Sequence, residues 1–303
     1  MRPLIFVINP ASGNTAVDAV RAAIHAAMQG RSHEILLPRK PAQLSTLARQ
    51  AVQSAQACGG AVVGIGGDGT MNTVAQAAWE AQCPMGVIAQ GTFNYFSRAH
   101  GLPQELDNAL ALLGDAPVEP VQVGMVNGRI FLVNSSLGLY PKVLEDREAY
   151  KKQWGRYRWV AMLGALLTLL RHDSQLRLRI TLGDKVRDLR TSTLFIANNP
   201  LQLERLGLPH AERLREGELA AVALQPASRM ELVWLLLRGA FGRLGDADKV
   251  ISFPFTAMEV AARRSGRMRV ATDGEVSSLP APLRFAVAPR PLMLLCPRQE
   301  PAP

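Results

Sequence analysis

The chain has 303 residues, of which 48% are hydrophobic and 19% are charged, and its formal net charge is +9. This balance is typical of a globular protein, and the length suffices for a large core and for two domains. The longest apolar stretch, residues 159–170, is shorter than the roughly 20 residues that a bilayer-spanning helix needs. The three cysteines lack the spacing of a metal site, and their small, odd number fits a reducing cytoplasm.

The positive charge leaves three kinds of partner open: nucleic acid, an anionic membrane or phosphate ligands. The sequence lacks a helix-turn-helix, a zinc pattern and an aromatic RNA-binding platform, so we expect no nucleic acid. Basic residues flank the apolar stretch 159–170, which is either a buried helix or a helix that docks on a membrane surface. We therefore favour an anionic membrane as the partner, with a merely solvated basic surface as the alternative.

The first part of the chain alternates predicted strands with predicted helices. This alternation predicts parallel βαβ units with right-handed crossovers, so ligand loops would gather at the carboxyl ends of the strands. The predicted strands are residues 4–8, 34–37, 61–65 and 85–89, and the predicted helices are residues 15–28, 41–57, 70–81 and 107–113.

From about residue 121 the pattern changes to short β-prone runs between turns. Such runs predict a largely antiparallel second domain, with helical insertions near residues 150–171 and 228–244. The predicted strands are residues 121–126, 129–133, 176–182, 193–197, 219–224, 255–261, 268–271 and 283–287.

The segment 61–70 predicts a buried strand, a tight glycine turn and a helix that begins near Thr70. Glycines let the backbone approach an anion closely, and a helix start offers unpaired N–H groups and the positive end of a dipole. Asp68 would repel phosphate, so we expect it to act through a metal ion, or to position water or a proton. The alternative is an ordinary strand-to-helix turn in which the Asp caps the helix.

Four motifs stand out, in a fixed order along the chain. They are Asn9-Pro10-Ala11-Ser12-Gly13; Gly66-Gly67-Asp68-Gly69-Thr70 followed by Asn72; Gly91-Thr92-Phe93-Asn94-Tyr95-Phe96-Ser97-Arg98; and Asp273-Gly274-Glu275. They resemble the NPxSG, GGDGT-x-N, GT-x-N-D-F-x-R and late DGE motifs of the diacylglycerol kinase catalytic family, which includes bacterial lipid kinases and sphingosine and ceramide kinases. NAD kinases and phosphofructokinases share the GGDG core, but the Asn-Glu pair of NAD kinases has no convincing counterpart in this sequence.

The resemblance implies an α/β + β fold. It consists of an N-terminal doubly wound α/β nucleotide-binding domain and a second, largely antiparallel β-sandwich-like domain, with the active site in the cleft between them. We place the ATP-binding domain at residues 1–122, completed by residues 291–303, and the β-rich lipid-substrate domain at residues 123–290. The last predicted strand, residues 292–295, would return to the first domain.

The resemblance also implies ATP and Mg²⁺ as cofactors. Asp68 would hold Mg²⁺ or its hydration shell, although Tyr95 stands where the family often has a second acid. Glu275 would be the general base, and Asp68 is the second predicted catalytic residue. A solvated hairpin turn is the alternative for the Asp-Gly-Glu segment. The predicted nucleotide-binding residues are Asn9, Pro10, Ser12, Gly13, Gly66, Gly67, Asp68, Gly69, Thr70, Asn72, Thr92 and Asn94.

A structural Mg²⁺ site of the family corresponds to residues 209–219, which align with a P-x-A-x-x-x-D-G-x-L element. Glu216 stands where the family has Asp. If the site persists, Glu216 would supply the carboxylate, and the backbones of Arg213 and Glu218 would be further ligands.

The motifs together predict an ATP- and Mg²⁺-dependent kinase that phosphorylates a hydroxyl of a membrane lipid. Diacylglycerol is the default substrate, and ceramide, a sphingoid base and phosphatidylglycerol stay open. The alternatives are an NAD-kinase-like enzyme for a soluble substrate and a catalytically weak lipid- or nucleotide-binding regulator. We expect a cytoplasmic protein that associates peripherally with the inner face of the membrane, and a homodimer is a further option.

Overall fold

A computed structural model gives the structure of the chain. The residues that it describes are 2–10, 16–91, 94–138, 175–228, 230–231, 234–235, 238, 243–262 and 266–298. The chain divides into two compact units, of which the first comprises Met1–Val123 and Ala288–Pro303 and the second comprises Gly124–Val287.

The first unit contains a six-stranded sheet with the strand order β2-β1-β3-β4-β18-β5. Neighbouring strands are parallel, except that β5 runs antiparallel to β18. The return of the last strand to this sheet agrees with what the resemblance implies. The strands are β1 (Leu4–Ile8), β2 (His33–Leu36), β3 (Ala61–Gly66), β4 (Met85–Ala89), β5 (Val118–Val121) and β18 (Leu292–Leu295).

Among the described residues of this unit, five helices accompany the sheet. Helix α1 carries Val20 and Ile24, one helical turn apart, and both are fully buried in a core cluster that also contains side chains of β1, β3 and α5. Helix α2 packs against α3. The helices are α1 (Val17–Ala27), α2 (Leu44–Ala57, preceded by a 3₁₀ turn at Pro41–Gln43), α3 (Asp68–Ala81), α4 (Tyr95–Ala99) and α5 (Leu106–Asp115).

In the described part of the second unit, the strands form two antiparallel six-stranded sheets, with the orders β10-β9-β14-β17-β6-β7 and β13-β12-β11-β8-β15-β16. One hydrophobic cluster holds side chains of both sheets, so they face each other across it. The strands are β6 (Gly124–Val126), β7 (Arg129–Phe131), β8 (Asn134–Gly138), β9 (Leu176–Leu182), β10 (Lys185–Thr191), β11 (Thr193–Ala197), β12 (Leu219–Leu224), β13 (Val250–Phe255), β14 (Ala257–Ala262), β15 (Arg267–Thr272), β16 (Glu275–Pro280) and β17 (Leu283–Val287).

Two short helices, α6 (Pro200–Arg205) and α7 (Ala211–Arg215), pack on the second of these sheets. Leu203 of α6 and Leu214 of α7 share a core cluster with β12 side chains that point away from the intersheet core. Asn199 caps α6, because its side chain accepts a hydrogen bond from the Gln202 amide.

The mixed α/β class with several sheets is confirmed. The predicted strand 121–126 is wrong, because β5 ends at Val121, β6 begins at Gly124, and the two strands belong to different sheets. The predicted helix near 150–171 lies outside the described residues. No helix among the described residues is long and apolar enough to cross a bilayer.

Candidate functional site

A strand-to-helix turn lies at the carboxyl end of β3. All six residues of β3 are buried, Gly67 follows as the N-cap, and α3 begins at Asp68, two residues earlier than predicted. The helix starts early because the Gly67 carbonyl accepts the Met71 amide at 3.0 Å, which closes the first helical hydrogen bond. The exposed Asp68 side chain therefore lies in the first turn, where the helix dipole stabilises a carboxylate.

The loop after β1 is attached to this turn by two hydrogen bonds. The backbone N–H of Asn9 donates to the Ile65 carbonyl at 3.1 Å, and Asn9 Nδ2 donates to Thr70 Oγ1 at 2.9 Å. Thr70 is buried, Pro10 is exposed, and Asn72 is partly buried on the next turn of α3. Ser12 and Gly13 lie outside the described residues. Asn9 and Thr70 thus join two of the predicted nucleotide loops.

The loop after β4 forms the third side of the same site. The Gln90 amide donates to the Gly66 carbonyl at 2.7 Å. A Cβ atom built on Gly91 would lie 3.8 Å from Gly67 Cα and 3.9 Å from Asp68 Oδ2. The structure therefore brings the loops after β1, β3 and β4 together at the start of α3. Thr92 lies outside the described residues.

Asn94, three residues after Gly91, has an unusual side-chain oxygen. The residue is buried and has a left-handed backbone with φ of 49°, a conformation that Asn adopts more readily than most residues. Its Nδ2 donates to Gln104 Oε1 at 2.9 Å, whereas its Oδ1 is a buried oxygen without a hydrogen-bond partner in the part of the chain that the structure describes. Buried polar atoms almost always have a partner, so an orphaned oxygen beside these loops fits a ligand-binding position.

Gln104 is a residue of this site that the sequence did not indicate. It lies ten residues beyond Asn94, outside every motif, and its Nε2 donates to the Leu102 carbonyl at 2.8 Å. Only the three-dimensional contact with Asn94 identifies it, so a single sequence offers no signal for it.

In the second unit, Asp273 and Gly274 form the hairpin turn between β15 and β16, with φ values of 47° and 89°. The Asp273 carboxylate is buried and accepts three backbone N–H groups. They are those of Leu132 at 2.7 Å, Val133 at 2.8 Å and Asn134 at 3.0 Å. The alternative of a hairpin with solvated acids is therefore wrong for Asp273, whose carboxylate fastens the turn to the start of β8.

Glu275 is the first residue of β16 and pairs with Thr272 across the hairpin. The residue is exposed at the end of the sheet, but protein atoms displace part of the solvent around its carboxyl group. This loss of solvent raises the pKa of Glu275, and the nearby charge of Asp273 raises it further. A reachable carboxylate with a raised pKa is suited to accept a proton.

The predicted structural metal site holds a network of ion pairs. Arg213 Nη1 lies 2.7 Å from Glu216 Oε2, and its Nη2 lies 2.6 Å from Glu218 Oε1. The Arg213 carbonyl accepts the Glu218 amide at 3.1 Å. These residues do not fit a divalent cation, because a guanidinium already neutralises both carboxylates. Within the described ranges, no cluster of three His, Cys, Asp or Glu side chains could hold a metal ion.

Comparison with known proteins finds a family model that matches the first part of the chain. Residues 3–126 match the family model of the diacylglycerol kinase catalytic domain. A Pseudomonas aeruginosa (strain UCBPP-PA14) protein named "Probable lipid kinase YegS-like" is 40% identical over 112 residues, which are 36% of this chain and 37% of that protein. The match to this relative thus spans little more than a third of its length.

Wider matches are more distant in sequence. The Staphylococcus haemolyticus (strain JCSC1435) protein "Putative lipid kinase SH2167" is 26% identical over 239 residues, covering 76% of this chain and 74% of the relative. Two solved structures from Bacillus anthracis str. Sterne, both described as diacylglycerol kinases and one of them as a "putative" one, have TM-scores of 0.69 and 0.74. Their sequence identities are 16% and 17%, and each match covers 97% of both chains, so they show the shared fold.

Proposed function

We propose that this chain, whose residues 3–126 match the family model of the diacylglycerol kinase catalytic domain, is an ATP-dependent lipid kinase. It transfers the γ-phosphoryl group to a hydroxyl of a membrane lipid, with diacylglycerol as the first candidate. The observation that carries the proposal is the meeting of three loops, after β1, β3 and β4, at the start of α3. Phosphoryl transfer depends mainly on positioning and on charge neutralisation, and such a site can provide both.

The nucleotide phosphates are assigned to the turn between β3 and α3. The first N–H groups of a helix have no partners within the helix, and the glycines Gly66, Gly67 and Gly69 leave room for an anion. Asn9 and Thr70 fix the neighbouring loop by their mutual hydrogen bond. Asn72, Pro10 and the residues outside the described ranges, Ser12, Gly13 and Thr92, keep their proposed places around the phosphates.

The residues at this turn also fit a Mg²⁺ ion, because an exposed carboxylate and an orphaned amide oxygen lie beside the same glycine. Asp68 would hold the ion or its water shell. When bound, the ion neutralises charge on the phosphates. Without such an ion, a carboxylate at this helix start would repel the phosphates.

Glu275 is proposed to accept the proton of the attacking lipid hydroxyl. Its exposure and its raised pKa support this role. Asp273 supports Glu275 by fixing the hairpin, since three backbone amides hold the Asp273 carboxylate.

The test of the activity is transfer of labelled phosphate from ATP to a panel of lipids and to NAD. The panel contains diacylglycerol, ceramide, a sphingoid base and phosphatidylglycerol. We expect labelled diacylglycerol and no labelled NAD. Labelled NAD would support the alternative of a soluble substrate, and no labelled product with intact ATP binding would support a regulator.

The variant that tests the nucleotide site is Gly67→Val, which puts a side chain where the phosphates must approach. We expect ATP binding, measured by calorimetry, and all transfer to be lost while the variant stays folded. Unchanged ATP binding by a folded Gly67→Val protein would remove this turn from the site.

We propose, in addition, that the chain binds an anionic membrane peripherally. Its charge of +9 supports this. So do Met230 and Trp234, two helical residues that are 77% and 53% exposed while Leu235 is buried. The Arg238 guanidinium lies 3.8 Å from the centroid of the Trp234 ring. A Trp with a neighbouring cation suits the boundary between lipid and water.

The membrane proposal is tested by sedimentation with anionic and neutral vesicles. We expect salt-sensitive binding to the anionic vesicles, and Trp234→Ser should weaken it. Val186→Ser is the matched control, because Val186 is 58% exposed but lies on β10. Equal binding to both kinds of vesicle, or equal loss in the two variants, would contradict the proposal.

A further inference from the structure

The orientation of the Asn94 amide is fixed by a chain of hydrogen bonds. The Leu102 carbonyl can only accept a hydrogen bond, so the Gln104 amide must turn its Nε2 toward it, at 2.8 Å. Gln104 then presents Oε1 to Asn94, whose Nδ2 donates to it at 2.9 Å. These two hydrogen bonds fix the orientation of the Asn94 amide, so its Oδ1, and not its Nδ2, faces away from Gln104.

Asn94 Oδ1 faces the glycine loops. It lies 2.8 Å from the position of a Cβ built on Gly91, and Asp68 Oδ2 lies 3.9 Å from the same position. Asn94 is only 8% exposed, and this oxygen has no hydrogen-bond partner among the described residues. A buried acceptor without a partner is costly, so a fold keeps one at a site only if something there compensates the cost.

The chemistry of the oxygen limits what it can bind. Phosphate oxygens at neutral pH are acceptors, so Asn94 Oδ1 cannot hydrogen-bond to them directly. It can accept a hydrogen bond from a donor or contact a cation, and the nearby carboxylate of Asp68 favours a positive ligand. Oxygen atoms and water are the ligands that Mg²⁺ prefers, with one or two carboxylates among them.

We propose that Asn94 Oδ1 is the second protein oxygen, beside Asp68, that receives a hydrated divalent cation, and that Gln104 is the positioning residue that holds it there. This inference rests on the proposed function only in naming Mg²⁺ as the cation. It assigns Asn94 to the cation and not to the phosphates, and it supplies an oxygen near the position where Tyr95 replaces the second acid.

The test measures Mn²⁺ binding to the full chain without nucleotide, from the EPR signal of free Mn²⁺, with Mg²⁺ as competitor. Gln104→Met removes the lock on the amide, so Asn94 can turn its oxygen away. Loss of such a supporting residue typically lowers metal affinity about tenfold or more, and we expect that loss here. Gln56→Met is the matched control, because Gln56 Nε2 also donates to a backbone carbonyl at 2.8 Å, that of Ala81.

The decisive variant combines Gln104→Met with Asn94→Asp. A carboxylate has two equivalent oxygens, so its orientation no longer matters, and we expect the double variant to recover the wild-type affinity. A merely structural role of Gln104 would leave the double variant as weak as Gln104→Met. If Gln104→Met does not fold, Asn94→Gly tests the same oxygen, because glycine tolerates the left-handed backbone; it should lose about tenfold in affinity.

The proposal is overturned if wild-type protein leaves the Mn²⁺ signal unchanged, if Gln104→Met or Asn94→Gly binds Mn²⁺ as wild type does, or if the double variant fails to recover. These outcomes are independent of the lipid assay. A chain that phosphorylates lipid but fails the Mn²⁺ test keeps the proposed function and loses this inference. A chain that passes the Mn²⁺ test and phosphorylates no lipid keeps the cation site and loses the function.

Discussion

The dipeptide Asp-Gly occurs in both units at a candidate site, and its two copies have opposite surroundings. Asp68-Gly69 opens helix α3, with the carboxylate exposed beside the glycine loops. Asp273-Gly274 turns a hairpin, with the carboxylate buried under three backbone amides. The first carboxylate is exposed to solvent, whereas the second fastens the hairpin to the start of β8. The same two residues therefore indicate chemistry in one copy and architecture in the other.

The difference shows that the two acids of the Asp-Gly-Glu segment, Asp273 and Glu275, have separate roles. Three backbone N–H groups donate hydrogen bonds to the Asp273 carboxylate. Of the two acids of the hairpin, Glu275 is therefore the one that is exposed to solvent. The charge of Asp273 still acts on its neighbour, since it helps to raise the pKa of Glu275. Four substitutions or conditions test this division.

The largest effect is expected from Glu275→Gln. Glutamine keeps the size of the side chain but cannot accept the proton, and loss of a general base costs on the order of 10²–10⁴ in rate. Turnover is measured with the lipid that accepts phosphate, and ATP affinity, measured by calorimetry, should stay unchanged. Near wild-type turnover would place the base elsewhere. Asp68 would then be the next candidate, and not Asp273, whose oxygens three amides occupy.

Asp273→Asn should lower stability. The new NH₂ group replaces one acceptor and faces a backbone N–H, which leaves at least one buried donor without a partner and costs about 2 kcal/mol. Urea unfolding measures the loss. The matched control is Asp184→Asn, because Asp184 lies exposed in the turn between β9 and β10, and its midpoint should not move. Equal midpoints for the two variants would mean that the amide cradle contributes little.

Parts of this fold could be predicted because local sequence decides them. Strands β1 and β4 begin and end at the predicted residues, since each is a continuous apolar run that is almost entirely buried. Helix α2 was predicted from residue 41 and begins at Leu44, after a 3₁₀ turn that starts at Pro41. Helical structure thus begins at Pro41 as predicted, but its first turn is a 3₁₀ turn and not an α-helical one.

Other parts depend on contacts that a single sequence does not contain. Strand β10 was missed because it is rich in charged, exposed residues, and its pairing with β9 makes it a strand. Strand β8 was missed because it opens with Asn134, Ser135 and Ser136, which are polar yet buried. The contact between Asn94 and Gln104 joins a motif residue to one outside all motifs, so only the folded chain reveals it.

Asp68→Asn should give the opposite signature from Asp273→Asn. The side chain is exposed, so we expect a small loss of stability, to which the interaction with the helix dipole contributes about 0.3–1 kcal/mol. The Mg²⁺ concentration for half-maximal transfer should rise about tenfold, as typically follows when a metal site loses a supporting group. A stability loss as large as that of Asp273→Asn, with unchanged Mg²⁺ dependence, would mean that Asp68 has a structural role like that of Asp273. The proposed difference between the two Asp-Gly copies would then be wrong.

The smallest expected effect is a pH dependence of stability that comes from Glu275. Its pKa is raised in the folded chain, so the folded state binds the proton more tightly than the unfolded state does. The resulting stability is present at low pH, below the ordinary pKa of 4.5, and is lost as the pH rises through the folded pKa.

The variant Glu275→Gln does not lose stability in this way. The variant should therefore gain stability relative to wild type between pH 4 and pH 7, by a few tenths of a kcal/mol because the residue is largely exposed. Paired urea titrations at each pH measure the difference. A difference that shrinks as the pH rises would mean that the folded chain favours the ionised carboxylate, as a neighbouring cation would cause. Glu275 would then be held as firmly as Asp273, and the proposed division between the two acids would fail.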